Sequence, residues 1–175
     1  MRALVDADRI RQLMQALGRA ARRPARVYFT GGATAVLEGW RLSTIDVDVK
    51  LVPDEDALMR AIPELKERLS MNIELASPDD FIPVAEGWDA RSPFIAQEGP
   101  LSFHHFDLVA QALAKVERGH QQDVIDVQAM LARGLVTGLA LRAAFDQIEP
   151  MLYRYPALDP GAFRRAVAAM TGGPW

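Results

Sequence analysis

The stretch Ile45-Asp46-Val47-Asp48-Val49 constrains this chain more than any other. Polar and apolar side chains alternate with period two, the mark of a strand with one buried face. Asp46 and Asp48 therefore point the same way, their Cα atoms about 7 Å apart at a rise of roughly 3.3 Å per residue. Two like charges so close call for something positive between them. Upstream, Gly31-Gly32 separates a β-rich run, Arg26 to Thr30, from a short helical stretch running from about Ala33 to Trp40. Glycine permits φ > 0 and close backbone approach, and a turn that opens a helix aims backbone N–H groups at an anion. Thr30 and Thr34 offer hydroxyls to the same ligand.

Around these two features strands and helices alternate. Ile10, Leu13, Met14 and Leu17 recur at helical spacing between Asp6 and Arg22, with Asp6 or Asp8 as N-cap. The DVD strand spans Thr44 to Leu51, and a helix from Pro53-Asp54 to about Ser70 is expected to break near Pro63. Met71 to Ser77 is strand-like. Two further strands lie about a Glu98-Gly99-Pro100 turn. From Asp107 the pattern becomes helical: 107–118, 121–133, 137–149 and 160–170. The expected fold is α/β (α+β), a mixed sheet with flanking helices over residues 1–106, followed by a helical C-terminal region over 107–175.

With 175 residues, a net charge of −3 and a pI near 5.6, the chain is no strongly basic coat for nucleic acid. It contains no cysteine, which excludes disulfides, thiolate nucleophiles and sulfur-ligated zinc. No signal peptide and no apolar run of membrane-spanning length is visible, so the cytoplasm is the expected address and no membrane partner is expected.

Asp46 and Asp48 suit a hard divalent cation, which takes oxygen ligands from one or two carboxylates, phosphates and water. Glu74, between Ile73 and Leu75, offers a third carboxylate that would complete a two-metal site. Glycines for phosphate and carboxylates for metal answer one substrate, a nucleoside triphosphate with Mg2+ or Mn2+. Arg41 and Ser43, just before the strand, are within reach of a phosphate or of a rim salt bridge. His104 and His105 alternate with phenylalanines and read as strand residues, and His120 as a loop residue.

Thr30-Gly31-Gly32, a spacer of thirteen residues, Asp46-Val47-Asp48 and Ile73-Glu74-Leu75 together resemble the signature of the nucleotidyltransferase superfamily, the polymerase-β-like fold. Thr30 departs mildly from an apolar position. The segments "RLSTIDVD" and "ALAKVERGHQQDVIDV" are similar to minimal bacterial nucleotidyltransferases related to AbiEii-type toxins. The resemblance covers roughly residues 26 to 133. It implies metal binding by Asp46 and Asp48, triphosphate binding by Gly31 and Gly32, and an acceptor oriented or deprotonated by Glu74. It further implies that Lys115 contacts the triphosphate and that Asp123 or Asp126 positions Lys115 or the acceptor. Either Glu74 or Asp126 completes the acidic site.

The plainer reading of Asp107, Gln111 and Lys115 is a wet helix face, and that of Asp123 and Asp126 is capping or pairing with Arg118 or Arg133. The resemblance leaves the acceptor open among RNA, protein and a small molecule, and brings in an antitoxin protein as a partner. The competing reading is a non-catalytic nucleotide- or protein-binding module with the same fold.

Overall fold

The alternation of the DVD stretch forms a strand in the computed structural model, which describes residues 3–175. The described chain falls into two compact units. One takes the chain up to Ser77 together with Ser92–Phe106, and the other takes Pro78–Arg91 with Asp107–Trp175.

The first unit is a five-stranded mixed sheet with helices α1 (Ala7–Ala20), α2 (Gly32–Glu38) and α3 (Asp56–Arg68). Its strands are β1 (Ala25–Thr30), β2 (Asp46–Val52), β3 (Asn72–Leu75), β4 (Phe94–Glu98) and β5 (Leu101–His105), in the spatial order β3-β2-β1-β5-β4. β1 runs antiparallel to β2 and parallel to β5, and β2 runs parallel to β3. β4 and β5 form the hairpin expected about Gly99, whose φ is +57°.

Val27, Phe29, Val47, Val49, Leu51, Ile73 and Phe103 turn one sheet face into the core. Ile10, Leu13 and Leu17 of α1 and Leu58, Ile62 and Leu65 of α3 belong to that same cluster. The period of two then sends Asp46, Asp48 and Lys50 to the opposite face, where each is half-buried. Asp6 caps α1 by accepting from the N–H of Arg9, as its sequence position suggests.

Two expectations are corrected. α3 does not break near Pro63 but runs through it. Pro63 stands on the exposed side of the helix, where it forfeits one backbone hydrogen bond while Leu58, Ile62 and Leu65 stay buried. α2 stops at Glu38 instead of Trp40, because Gly39 adopts φ +90° and closes the helix with a left-handed cap.

The second unit is helical: α4 (Trp88–Arg91), α5 (Leu108–Arg118), α6 (Gln121–Ala132), α7 (Gly138–Ile148) and α8 (Pro160–Met170). Short 3-10 turns occupy Pro78–Asp80 and Glu149–Arg154. Arg91 ties its segment to α5 through the buried Asp107 carboxylate at 2.8 Å. No helix among the described residues is long and apolar enough to cross a membrane.

Candidate functional site

The parallel register of β2 on β3 sets Asp46 beside Asn72 and Asp48 beside Glu74. Since Val47 and Ile73 of the same ladder are core residues, these four polar side chains share the opposite face. Asn72, only 2% exposed, stands between two of the carboxylates. Its amide donates to Asp46 Oδ1 and, at 2.7 Å, to Glu74 Oε1. A neutral donor thus meets part of the charge crowding that the sequence poses. Asn72 escaped the sequence reading, although its place two residues before Glu74 puts it on the same strand face.

The Gly-Gly turn closes on this acidic face. Gly31 is the N-cap of α2 with φ +62°, and a Cβ there would stand 2.9 Å from Asp48 Oδ2. At Gly32 a Cβ would meet Thr44 Oγ1 at 2.0 Å, an outright overlap. Thr30, the last residue of β1, pairs with Asp48. Both glycines are therefore demanded by contacts that bring the turn and the DVD strand together. Arg41 and Ser43 lie half-buried on the segment that leads from α2 to β2, with the Arg41 N–H on Ala35 O at 3.2 Å.

Thr34 does not line the surface of the turn. It is 1% exposed, and its hydroxyl lies 3.3 Å from Phe29 O and 3.0 Å from His105 Nδ1. This corrects the expectation of a hydroxyl reaching phosphate, because the helical turn rotates the side chain inward. His105, read from sequence as a plain strand residue, is also buried, with Nε2 3.1 Å from Glu38 Oε1. Burial first, and the neighbouring His104 second, push its pKa down to about 4, against the pull of the Glu38 carboxylate. A neutral ring then donates from Nε2 to Glu38 and accepts at Nδ1 from Thr34, the closer of that hydroxyl's two contacts. Glu38-His105-Thr34 is a buried polar line behind the turn, joining α2 to β5.

Among the described residues, no group of three or more His, Cys, Asp or Glu is arranged to hold a metal ion. A preformed cage of Asp46, Asp48 and Glu74 is therefore absent, and the third carboxylate is instead tied to Asn72. The pair Asp46 and Asp48 still fits magnesium. Magnesium usually takes one or two carboxylates and completes its octahedron with water and substrate phosphates. The donors are all oxygen, both are half-buried, and both face one side.

In the helical unit, Asp107, Gln111 and Lys115 share one face of α5, as their four-residue spacing requires. That face is buried, each residue being at most 6% exposed, so the wet-face reading is corrected. Lys115 Nζ lies 2.8 Å from Asp126 Oδ2 and 3.7 Å from Asp123 Oδ1. Asp126 is 0% exposed and also accepts from Gln122 at 3.1 Å. Asp123 takes a two-pronged hydrogen bond from Arg118 at 2.6 and 2.7 Å and accepts the N–H of His120 at 3.2 Å, so it completes a capping box with His120, the N-cap of α6. Burial opposes ionisation of Asp123, but Arg118, Lys115 and the His120 N–H outweigh it and hold the carboxyl below its ordinary pKa. Lys115 and both aspartates thus form one buried ion cluster.

A sequence profile for the family described as "Nucleotidyltransferase of unknown function (DUF6036)" matches residues 6–155. No curated protein and no solved structure matches the chain.

Proposed function

The chain belongs to that family of nucleotidyltransferases, and on this premise we propose that it moves a nucleoside monophosphate from an NTP to an acceptor in a magnesium-dependent reaction. The observation that carries the reading is the approach of Gly31 to Asp48, which joins a backbone turn suited to phosphate with a carboxylate pair suited to metal. The acceptor oxygen attacks the α-phosphorus, the bond from that phosphorus to the bridging oxygen breaks, and pyrophosphate leaves. Asp46 and Asp48 are the residues that would hold Mg2+ or Mn2+, which supplies Lewis-acid stabilisation of charge on the phosphoryl oxygens. Gly31 and Gly32 hold the triphosphate by backbone approach. Arg41 and Ser43, on the adjoining segment, are assigned to its phosphates. Glu74, the exposed carboxylate of the face, orients the acceptor and takes its proton.

The acceptor class stays among RNA, protein and a small molecule, and the net charge of −3 favours the small molecule over RNA. The similarity to AbiEii-type toxins extends the proposal to a toxin with an antitoxin protein as partner. Growth arrest on expression that requires Asp46 and Asp48 tests that extension. A second reading, a nucleotide- or protein-binding module without turnover, draws on Asn72, whose amide already engages two of the three carboxylates.

The test is incubation with each α-labelled NTP, Mg2+ or Mn2+, and cell RNA or lysate. The expected result is a labelled product in wild type and none in Asp46→Ala/Asp48→Ala, with the double variant still folded. Equal metal–nucleotide affinity in the double variant and wild type would show the assignment to be wrong. Tight binding without transfer would favour the second reading.

A further inference from the structure

Helix α2 has seven residues, too few for a helix to hold its shape and bearing alone. Gly31, its N-cap, has no side chain with which to bond the first turn. Apolar packing of Ala33 and Val36 keeps the helix against the core, but such packing is non-directional. Direction comes from two polar contacts that end on one residue. Thr34 in the first turn and Glu38 in the last are four apart and so share a face. The Thr34 hydroxyl lies 3.0 Å from His105 Nδ1, and Glu38 Oε1 lies 3.1 Å from Nε2 of the same ring.

His105 is itself held in place. It pairs with Phe29 across the parallel β1–β5 ladder, and the next residue, Phe106, donates its N–H to Phe29 O at 2.8 Å. Phe29 stands just ahead of Thr30 and Gly31, so the strand that carries the ring is registered on the strand that leads into the turn. A single contact would let α2 rotate about its axis, whereas two contacts, one on each turn, set that rotation. The Gly-Gly turn follows the helix, because Ala35 donates its N–H to Gly31 O at 3.2 Å.

We propose that His105, through Thr34 and Glu38, is a positioning residue for the turn, setting the rotation of α2 and with it the approach of Gly31 to Asp48. This role rests on the reading of that turn as the element holding the triphosphate. None of the three side chains need touch the nucleotide. Glu38 separates orientation from charge, because the two predict opposite signs. It ends α2, about 9 Å along the axis from Gly32. A carboxylate repels an anionic NTP, so its removal strengthens binding if charge alone matters. Loss of the acceptor for His105 weakens binding if that contact orients the turn.

The experiment is calorimetric titration of ATP, GTP, CTP and UTP, each with Mg2+, into the full chain. Glu38→Ala and the near-isosteric Thr34→Val should each weaken the binding seen in wild type by about tenfold or more, the size typical of losing a group that orients another. Glu38→Gln and Thr34→Ser, which keep an acceptor and a hydroxyl, should retain most of it. Ile62→Val, which trims the core on α3, controls for lost stability and should bind as wild type does. Glu38→Ala, on a side chain 29% exposed, carries the test if Thr34→Val fails to fold. Affinity unchanged or raised in Glu38→Ala overturns the positioning role and leaves the proposed transfer standing. Equal weakening in Ile62→Val, or in Glu38→Gln, does the same. Absence of Mg2+-dependent NTP binding in wild type overturns both.

Discussion

Gly31 and Asp48 approach so closely that the Cβ which Gly31 lacks would stand 2.9 Å from the Asp48 carboxylate. Gly31→Ala therefore carries two penalties, a left-handed backbone at φ +62° and a displaced carboxylate. A stability loss of about 1–2 kcal/mol in chemical denaturation is expected from the backbone alone. Metal-dependent NTP binding should weaken more than stability does, because Asp48 must move. Wild-type affinity in the Gly31→Ala protein would detach the turn from the site.

Asn72 supplies the second test. Its amide is the donor that Asp46 and Glu74 share, so Asn72→Ala should cost about 1–3 kcal/mol by leaving both carboxylates short of a partner. Asn72→Asp should cost more at neutral pH, since it adds a charge to three carboxylates on one face. Added Mg2+ should then recover more stability in Asn72→Asp than in wild type. Equal recovery in both would show that these side chains do not share a cation.

Much of this face is legible in the sequence, and its limits are physical. Alternation by two fixes that Asp46 and Asp48 share a side, whatever the tertiary structure. It does not distinguish Asn72 from any other polar strand residue, because its meaning comes from the register of β3 on β2. The link from Thr34 to His105 joins residues 71 apart, beyond any local pattern. On α5, four-residue spacing sets Asp107, Gln111 and Lys115 on one face but does not say whether that face is covered. Pro63 misled for a similar reason, since packing of Leu58, Ile62 and Leu65 overrides a propensity that sequence alone weighs fully.

His105 should make stability depend on pH. An unfolded histidine takes its proton near 6.5, whereas the folded ring waits until about 4. Between those values the unfolded chain binds more protons, so stability is fully present above pH 6.5 and falls as pH drops toward 4. The span corresponds to about 3 kcal/mol as an upper figure, since Glu38 pulls the other way. Denaturation of wild type and His105→Gln at about pH 7, 5.5 and 4.5 measures it, points that run from above the window to well inside it. The variant should lose much of the slope, and parallel pH profiles would show that His105 is not the group responsible.

Lys115 and Asp126 give the sharpest energetic test, because both are buried and 2.8 Å apart. Were Lys115 a solvated helix lysine, Lys115→Ala would be nearly neutral. In the observed cluster it leaves Asp126, at 0% exposure, in the interior without its Lys115 cation. Breaking such a pair from one side costs about 3–5 kcal/mol, whereas replacing both partners by apolar residues often costs little. Lys115→Ala and Asp126→Ala should each unfold at markedly lower denaturant. Lys115→Met/Asp126→Leu should lie closer to wild type than either, a non-additivity that a double-mutant cycle reads directly. Asp123 would retain Arg118 in that background, so the cap of α6 survives. Nucleotidyl transfer in the double variant then separates structural from chemical roles. Recovered stability with lost transfer assigns the Lys115–Asp126 pair to the reaction, and recovery of both leaves it a buried structural pair.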